Sequence, residues 1–358
     1  MSASRILVAI GCLFALAVGM DPAWARGKPP PPPTPAPKSP PARYWHMFTG
    51  NGGIDGSSSR LYLYGGEDDG INPFDDLWYY QVSNRAWTLV APNGKSRPGP
   101  RMHAGWSCGG GVCVMEDGLK GAGLVDETWV YTEGTNAWSK IGCSGRSPCP
   151  SWRKGATMAY DADSGRHLLF GGEDPGTLTS DAALHDDTYT FDAATRTYTK
   201  QAPSSRPAPR AFAAAVHVPG IGVVLFGGVS QSNQALCDMF VWTGSDWASV
   251  TLRTDPPLEI PCLQSHSMAW HNQTLIVVGG FDSLWRPNST SLRFTFDDLA
   301  RSGKWSTAVP TCVNESGDAD TNIYSSAKMA FDSMVGKQVF FGGFDGNVAV
   351  GNTVECYD

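Results

Sequence analysis

Short apolar runs that stop at a pair of glycines recur along the chain. The run Leu61-Tyr-Leu-Tyr64 ends at Gly65-Gly66, and further pairs follow similar runs, beginning at Gly171, Gly227, Gly279 and Gly342. A sixth run, Val112-Cys-Val-Met115, is interpreted as a copy that has lost its glycines, with Val114 at the aligned position. Positions 65, 114, 171, 227, 279 and 342 lie 49, 57, 56, 52 and 63 residues apart, which predicts a repeat architecture.

Each repeat unit is predicted to contain four strands. The first strand often carries a methionine, and the aligned positions are Met47, Met102, Met158, Ala214, Met268 and Met329. The second strand is the apolar run, whose continuous hydrophobicity indicates burial on both faces. The third strand begins with an acid and reaches an aromatic residue, as in Asp75-Asp-Leu-Trp78, and the fourth supplies a second aromatic such as Trp87. No long helical periodicity competes with this interpretation.

Together the glycine pairs, the acid–aromatic third strands and the proline-rich linkers ending in arginine, such as Pro98-Gly-Pro-Arg101, resemble Kelch repeats. The resemblance implies an all-β fold of the galactose oxidase central-domain type: a six-bladed β-propeller of four-stranded antiparallel blades. The blades are placed at 44–95, 96–148, 149–205, 206–258, 259–312 and 313–358. The last blade ends at Asp358 before any fourth strand. Either the segment at Trp45 supplies that outer strand, or Met47 lies in the first strand of blade one, which we prefer.

The N-terminal region predicts export. Arg5, the apolar stretch 6–18 and Ala23-Trp-Ala25 form a signal peptide, 1–25, cleaved after Ala25. Residues 26–43 are proline-rich and predict an extended linker. We therefore expect a secreted, periplasmic or cell-surface protein that has no transmembrane segment and is a monomer. The formal charge of -7 and the lack of a basic run argue against nucleic acid as a partner.

Eight of the nine cysteines follow the signal peptide, and an even number in an exported chain predicts disulfides. Their positions in the repeats predict the pairs Cys108–Cys113, Cys143–Cys149, Cys237–Cys262 and Cys312–Cys356.

The acid after the glycines is the first candidate for function. Alignment on the glycine pairs places five carboxylates in one ring, with Ser230 in blade four: Asp68, Asp117, Asp174, Asp282 and Asp345. Such a ring predicts either a cation site, with calcium the best match for oxygen ligands, or acids that accept hydrogen bonds from their own loops. Three arginines that precede the first strands are expected to pair with these acids or to bind an anion: Arg101, Arg153 and Arg210.

The sequence contains no nucleophile elbow and no phosphate-binding glycine loop, so no catalytic residue is assigned and no cofactor beyond structural calcium is expected. The resemblance implies a module that binds a protein or glycan through its loops, where Phe74 and Trp285 are the aromatic candidates. The alternative is a carbohydrate-active enzyme of the mutarotase or oxidase type that uses the channel mouth. The oxidase type needs a copper ligand from a domain beyond the propeller, which disfavours it here.

Overall fold

The structure is a computed structural model. It describes residues 37–50, 59–121, 123–142, 149–174, 183–256, 258–288, 291–298, 302–308, 311–314, 328–332, 336–343, 349–351 and 353–357. The chain divides into two compact units, Met1–Pro37 and Lys38–Asp358. Apart from Pro37, the described residues belong to the second unit, so the predicted signal peptide and most of the proline-rich segment lie outside them. Within the described ranges, no helix is both long and apolar enough to cross a membrane.

Six antiparallel sheets follow one another along the second unit. Blade one contains β1 (Met47–Gly50), β2 (Leu61–Tyr64), β3 (Leu77–Gln81) and β4 (Ala86–Leu89). Blade two contains β5 (Gly105–Gly109), β6 (Val112–Glu116), β9 (Thr128–Thr132) and β10 (Ala137–Ile141), and a small hairpin of β7 (Leu119–Lys120) and β8 (Gly123–Leu124) lies between β6 and β9 in the sequence. Blade three contains β11 (Thr157–Asp161), β12 (Arg166–Phe170), β13 (Thr188–Asp192) and β14 (Thr197–Lys200).

Blade four contains β15 (Ala214–Val218), β16 (Gly222–Phe226), β17 (Met239–Trp242) and β18 (Trp247–Ser249). Blade five contains β19 (Thr251–Thr254), β20 (Ser267–His271), β21 (Thr274–Val278), β22 (Ser291–Asp298) and β23 (Ser302–Ala308). Blade six contains β24 (Thr311–Asn314), β25 (Lys328–Asp332), β26 (Lys337–Phe341) and β27 (Thr353–Tyr357). Strand β19 is an additional outer strand, parallel to β23. The predicted fold class, a six-bladed all-β propeller of four-stranded antiparallel blades, is confirmed.

The second strands are buried on both faces, as their unbroken hydrophobicity indicates. Leu61, Tyr62, Leu63 and Tyr64 are all buried, and their side chains divide between the interfaces with the neighbouring blades. The aromatic residues of the outer strands lie at the same interfaces. For example, Trp247 Nε1 donates to Thr188 Oγ1 of the preceding blade at 2.9 Å. Burial of these large apolar side chains is the main favourable term that holds blade against blade.

Closure of the ring uses a strand that the sequence did not indicate. Strand β24 lies upstream of the sixth blade's inner strand and pairs with β27, so Thr311–Asn314 is the outer strand of blade six. Met47 pairs with Tyr64 as part of an inner strand, which agrees with the preferred interpretation and excludes the alternative at Trp45. Blade one then packs directly on blade six, where Tyr80 donates to Glu355 Oε1 at 2.7 Å. The boundaries drawn on the sequence therefore differ from the sheets at β19 and β24.

Three of the four predicted disulfides are present: Cys108–Cys113, Cys237–Cys262 and Cys312–Cys356. Cys143 lies outside the described residues, so its pairing with Cys149 stays a prediction.

The aligned methionines do not share one register, and this changes what lines the axis. Met47 lies opposite Tyr64, the last residue before the glycine pair, whereas Met158 lies opposite Leu169, one position further from the pair. Met102 precedes its strand altogether. The first residues of the other inner strands have the same pairing as Met47, because each lies opposite the last residue of its second strand. These residues are Gly105, Thr157, Ala214, Ser267 and Lys328.

Candidate functional site

The propeller has two faces that carry different loops. Because successive strands of a blade run in opposite directions, the loops from second to third strands and the linkers between blades lie on one face, which we call the linker face. The turns within the two hairpins of each blade lie on the other, the hairpin face. The candidate aspartates, arginines and loop aromatics that the sequence proposed and the structure describes all belong to the linker face.

Asp117 is not part of the aspartate ring, so that prediction is wrong for blade two. In blade one, Gly66 N donates to the carbonyl of Arg101 in the next blade at 2.8 Å, and Gly118 N donates in the same way to Arg153 at 3.2 Å. Gly118 is therefore the second residue of its pair, and Asp117 occupies the place of the first glycine with φ of 52°. Lys120 stands where blade one has Asp68.

Two of the remaining aspartates organise their own loops. Asp68 Oδ1 accepts the N–H groups of Gly70 and Asn72, both at 2.9 Å. Asp282 Oδ1 accepts those of Leu284 at 2.8 Å and Arg286 at 2.9 Å. Backbone hydrogen bonds are the first cause that lowers the pKa of both exposed carboxyls, with those from position +4 the largest. These are Asx-type turns in which a carboxylate satisfies backbone donors.

The other ring positions differ. Asp174 Oδ1 lies 2.7 Å from His185 Nε2, and Ser230 Oγ accepts Gln234 N at 3.2 Å. Asp345 lies outside the described residues. The described aspartates thus each have partners within their own loops, and calcium binding stays a prediction. Calorimetry with calcium chloride, repeated after chelation, tests it.

The tips of three loops hold a residue in the left-handed conformation. It is the third residue after the aspartate or serine: Ile71 at φ 60°, Asn233 at 58° and Trp285 at 58°. Asparagine adopts this conformation readily, whereas a β-branched residue such as isoleucine does so at a cost. Nevertheless Ile71 is 73% exposed and Trp285 57% exposed, and Leu284 beside it is also exposed. The two apolar tips therefore carry strain although most of each side chain is exposed.

Hydrogen bonds between neighbouring loops fix these tips, and the sequence did not reveal them. Asp69 Oδ1 accepts the N–H of Ala349 from blade six at 2.6 Å. Ser283 Oγ accepts that of Ala235 from blade four at 2.8 Å, and Gln231 Oε1 that of Leu184 from blade three at 3.2 Å. In each case the acceptor is the residue directly after the ring position. A polar side chain at this place in several repeats was the available signal.

The linker arginines pair with acids other than those proposed. Arg153 Nη1 donates to Asp187 Oδ1 at 2.6 Å, and Arg210 Nη1 donates to Asp238 Oδ1 at 2.5 Å. Arg101 pairs with Glu127. These acids directly precede the third strand of the same blade, and the guanidinium groups are buried, so the arginines hold each blade's linker to its own sheet. Pairing with the post-glycine aspartates was therefore wrong.

Arg43 is a fourth member of this set that the sequence analysis missed. Its guanidinium donates to both oxygens of Asp76, at 2.6 and 2.8 Å, and to the carbonyl of Gly65 at 2.8 Å. The ring of Phe74 covers it at 4.0 Å. Phe74 is consequently half-buried and stabilises this ion pair, whereas Trp285 remains available to a partner.

An axial cavity of ≈ 180 Å³ lies between the inner strands. At its linker-face end, backbone bonds pass from blade to blade: His103 N to Trp45 O, Gly155 N to His103 O, and Phe212 N to Gly155 O. The ring of His103 lies between those of Trp45, at 4.8 Å, and Phe212, at 5.3 Å. Among the described residues that line the cavity there is no aspartate or glutamate, and Lys328 is the one lysine or arginine.

Two buried carboxyls meet between blades two and three. Glu116 accepts Thr128 Oγ1 at 2.6 Å and Tyr198 OH at 2.5 Å. Asp117 accepts the backbone N–H groups of Glu127 and Arg153, both at 3.1 Å. Burial raises the pKa of both groups, and the proximity of Glu116 raises that of Asp117 further. Their partners are all protein groups, which indicates a role in joining the blades.

One set of side chains on the hairpin face could hold a metal ion. His217 Nε2 lies 3.5 Å from Asp161 Oδ1 and 3.1 Å from Asp163 Oδ2. One ligand atom from each residue lies within 4.8 Å of the others. Imidazole and carboxylate ligands suit several divalent transition metals. Asp161 also accepts Asp163 N and Ser164 Oγ, so the same geometry serves as a local turn with an ion pair.

Comparison with known families places the chain. The family model described as the Attractin/LZTR1 beta-propeller matches residues 31–289, more than half of the sequence. The match spans the first four sheets and three of the five strands of the fifth, and together with the six sheets it supports a propeller of the Kelch type. The fold and the repeated loop architecture suit a general role as an interaction module. The chain therefore belongs to the Attractin/LZTR1 β-propeller family.

Proposed function

We propose that this protein is an exported propeller that binds a partner protein through the linker face, with Ile71, Leu284 and Trp285 as contact residues. The carrying observation is that Ile71 and Trp285 are both held in a left-handed conformation and both largely exposed. Blade four has Asn233 at the same position, so the loop does not need a large apolar side chain. Strain of this kind is maintained where the exposed side chain has a use.

The surroundings of the tips support binding without rearrangement. The Asx-type turns and the bonds between neighbouring loops hold the tips of blades one and five before any partner arrives. A preorganised surface loses little conformational entropy on association, so more of its contact energy appears as affinity. Large apolar residues in a polar setting are also the usual energetic centres of protein interfaces.

A protein is a better match than a glycan. Ile71 and Leu284 are aliphatic, and such side chains fill apolar pockets on protein partners but do not stack on sugar rings. Trp285 alone would suit a sugar. Three disulfides support the exported state, because disulfides persist in oxidising compartments. The axial cavity has no acid among its described lining residues, so nothing there supports the carbohydrate-active alternative.

Site-directed cross-linking tests the proposal. A photoreactive phenylalanine derivative is placed at position 285 of the mature protein, and at position 89 as a control. Leu89 is also exposed but is the last residue of an outer strand and does not belong to the loops that carry the tips. After incubation with the secreted and surface proteins of the source cells, position 285 should capture a protein that position 89 does not. Equal capture at both positions contradicts the proposal.

Substitution then measures the contribution of the tips. Trp285→Asn and Ile71→Asn introduce the residue that blade four already uses, so both variants should fold. Each should weaken binding of the captured partner at least tenfold, as removal of a central apolar contact does. Leu89→Thr should leave binding unchanged. Undiminished binding by both asparagine variants sinks the idea, and binding on a glycan array that depends on Trp285 would favour a sugar ligand instead.

A further inference from the structure

Lys328 breaks the pattern of the axial cavity. The residues paired in the same way at the start of the other inner strands are uncharged: Met47, Gly105, Thr157, Ala214 and Ser267. All but Gly105 line the cavity together with Lys328. A lysine in one blade of six is not required by the repeated strand pairing, since five other side chains satisfy it.

The ammonium group of Lys328 has no counter-charge. Among the described residues it forms no hydrogen bond and no ion pair, and none of those that line the cavity is acidic. Burial lowers the pKa of Lys328 to about 8, so it is still largely protonated at pH 7. Burial is the main cause that lowers the pKa of His46, His103 and His266; the charge of Lys328 lowers it further, in His46 after that of Arg43.

Lys328 is half-buried, and removing part of its charge from water is costly unless an anion accompanies it. Apolar side chains form part of the lining, including Met158, Met268, Phe212 and Ala215. His266 adds a polar group: it is 3% exposed, and neither ring nitrogen has a hydrogen-bond partner. Its neutral imidazole carries one N–H donor. The site thus combines a cation, a neutral donor and apolar walls.

Size and access match a small ligand. The cavity of ≈ 180 Å³ holds several waters, or a molecule of a few heavy atoms. Trp45 lines the cavity and is 39% exposed, so the cavity reaches the surface at the linker face. We propose that the axial cavity is a binding site for a short-chain carboxylate, whose anionic end contacts Lys328 and His266 and whose aliphatic end contacts the methionines and alanines.

Methionine-methyl NMR on the full mature protein tests this. With ¹³C-methyl-methionine, butyrate should produce saturable shifts of the cavity methionines Met47, Met158, Met268 and Met329, and leave Met239, which lies away from the cavity, unshifted. 1-Butanol is an uncharged molecule with an aliphatic chain of similar length, and it should bind with at most a tenth of the affinity of butyrate. Chloride at equal ionic strength separates a general anion effect from carboxylate recognition.

Two variants make the result decisive. Lys328→Met introduces the residue that blade one carries at this register, and should abolish the butyrate shifts while the protein remains folded. Lys328→Arg retains the charge and should retain binding, and it serves as the readout if the methionine variant does not fold. The proposal would be overturned if 1-butanol or chloride produced the same shifts as butyrate. It would also be overturned if butyrate produced the same shifts in Lys328→Met as in the wild type. The loop variants Ile71→Asn and Trp285→Asn should bind butyrate normally, so this site and the proposed protein interface fail or succeed separately.

Discussion

The corners where the second strands of blades two and three end make the same connection with different residues. In blade three, Gly172 N donates to the carbonyl of Arg210 in the next blade at 2.8 Å. In blade two, Gly118 N donates to the carbonyl of Arg153 at 3.2 Å. The residue before it adopts a left-handed conformation in both, at φ of 68° for Gly171 and 52° for Asp117.

What differs is how each corner accommodates the neighbouring backbone. A Cβ on Gly171 would lie 2.4 Å from the carbonyl oxygen of Arg210, so glycine avoids a collision there. Asp117 has a Cβ, and its carboxyl instead accepts the N–H of Arg153 at 3.1 Å. The glycine pair is thus one of two solutions to the same junction: one leaves room for the next blade, and the other bonds to it. The second solution buries a carboxyl beside Glu116.

The largest expected effect comes from the arginine that secures the blade-three corner. Arg153 donates to Asp187 at 2.6 Å and to the carbonyl of Gly171 at 2.9 Å, and it is buried. Arg153→Met leaves both acceptors without their donor and should lower the free energy of unfolding by about 3–5 kcal/mol. Urea unfolding measures this. The control Arg206→Met breaks a neighbouring exposed pair with Asp186 and should cost less than about 1 kcal/mol. Equal losses would show that burial is irrelevant.

Substitution of the corner glycine is expected to have the next largest effect. Gly171→Ala combines a left-handed backbone with the contact to Arg210 and should destabilise by about 2–4 kcal/mol. The matched control is Gly94→Ala, because Gly94 also has a positive φ, 82°, but an added Cβ would meet nothing within 4 Å. That control should cost about 1 kcal/mol, the conformational part alone. If both variants unfold at the same urea concentration, steric exclusion does not explain the glycine pair.

The smallest effect concerns the pH dependence of the blade-two corner. The pKa of Asp117 is raised in the folded protein, so its contribution to stability is complete below its ordinary value near 4 and is lost as pH rises through the raised one. Asp117→Asn removes this dependence. At pH 5 the variant should be less stable than the wild type by about 1 kcal/mol, because a hydrogen bond is weakened. As pH rises towards 9, the stability of the variant relative to the wild type should increase steadily.

The other titratable groups are common to both proteins, so the difference between wild type and variant reports on Asp117 together with the neighbouring Glu116. Asp68→Asn is the control, because the pKa of Asp68 is lowered and its contribution is lost only as pH falls below about 4. A wild-type-to-variant difference that stays constant between pH 5 and pH 9 would contradict a buried, protonated Asp117.

Much of the fold was predictable because it depends on local pattern. Apolar runs such as Leu61–Tyr64 bury both faces wherever they are placed between blades, and the cysteine positions within the repeats identified three disulfide pairs. The candidate site was predicted less well. Asp68 and Asp282 were placed correctly in their loops, but Asp117 was assigned to the wrong position, since a polar Glu116 extends its strand and conceals the register.

The sequence by itself determined the number of repeats, the four-strand unit and the need for glycine at most corners, because each depends on residues that are close along the chain. Only the tertiary structure decided which acid each arginine meets, which upstream strand completes blade six, and that Lys328 faces an axial cavity without a counter-charge. These features arise where one blade meets another or where six strands converge on an axis. Partners there are set by packing across the ring, and the spacing of residues along the chain does not specify them.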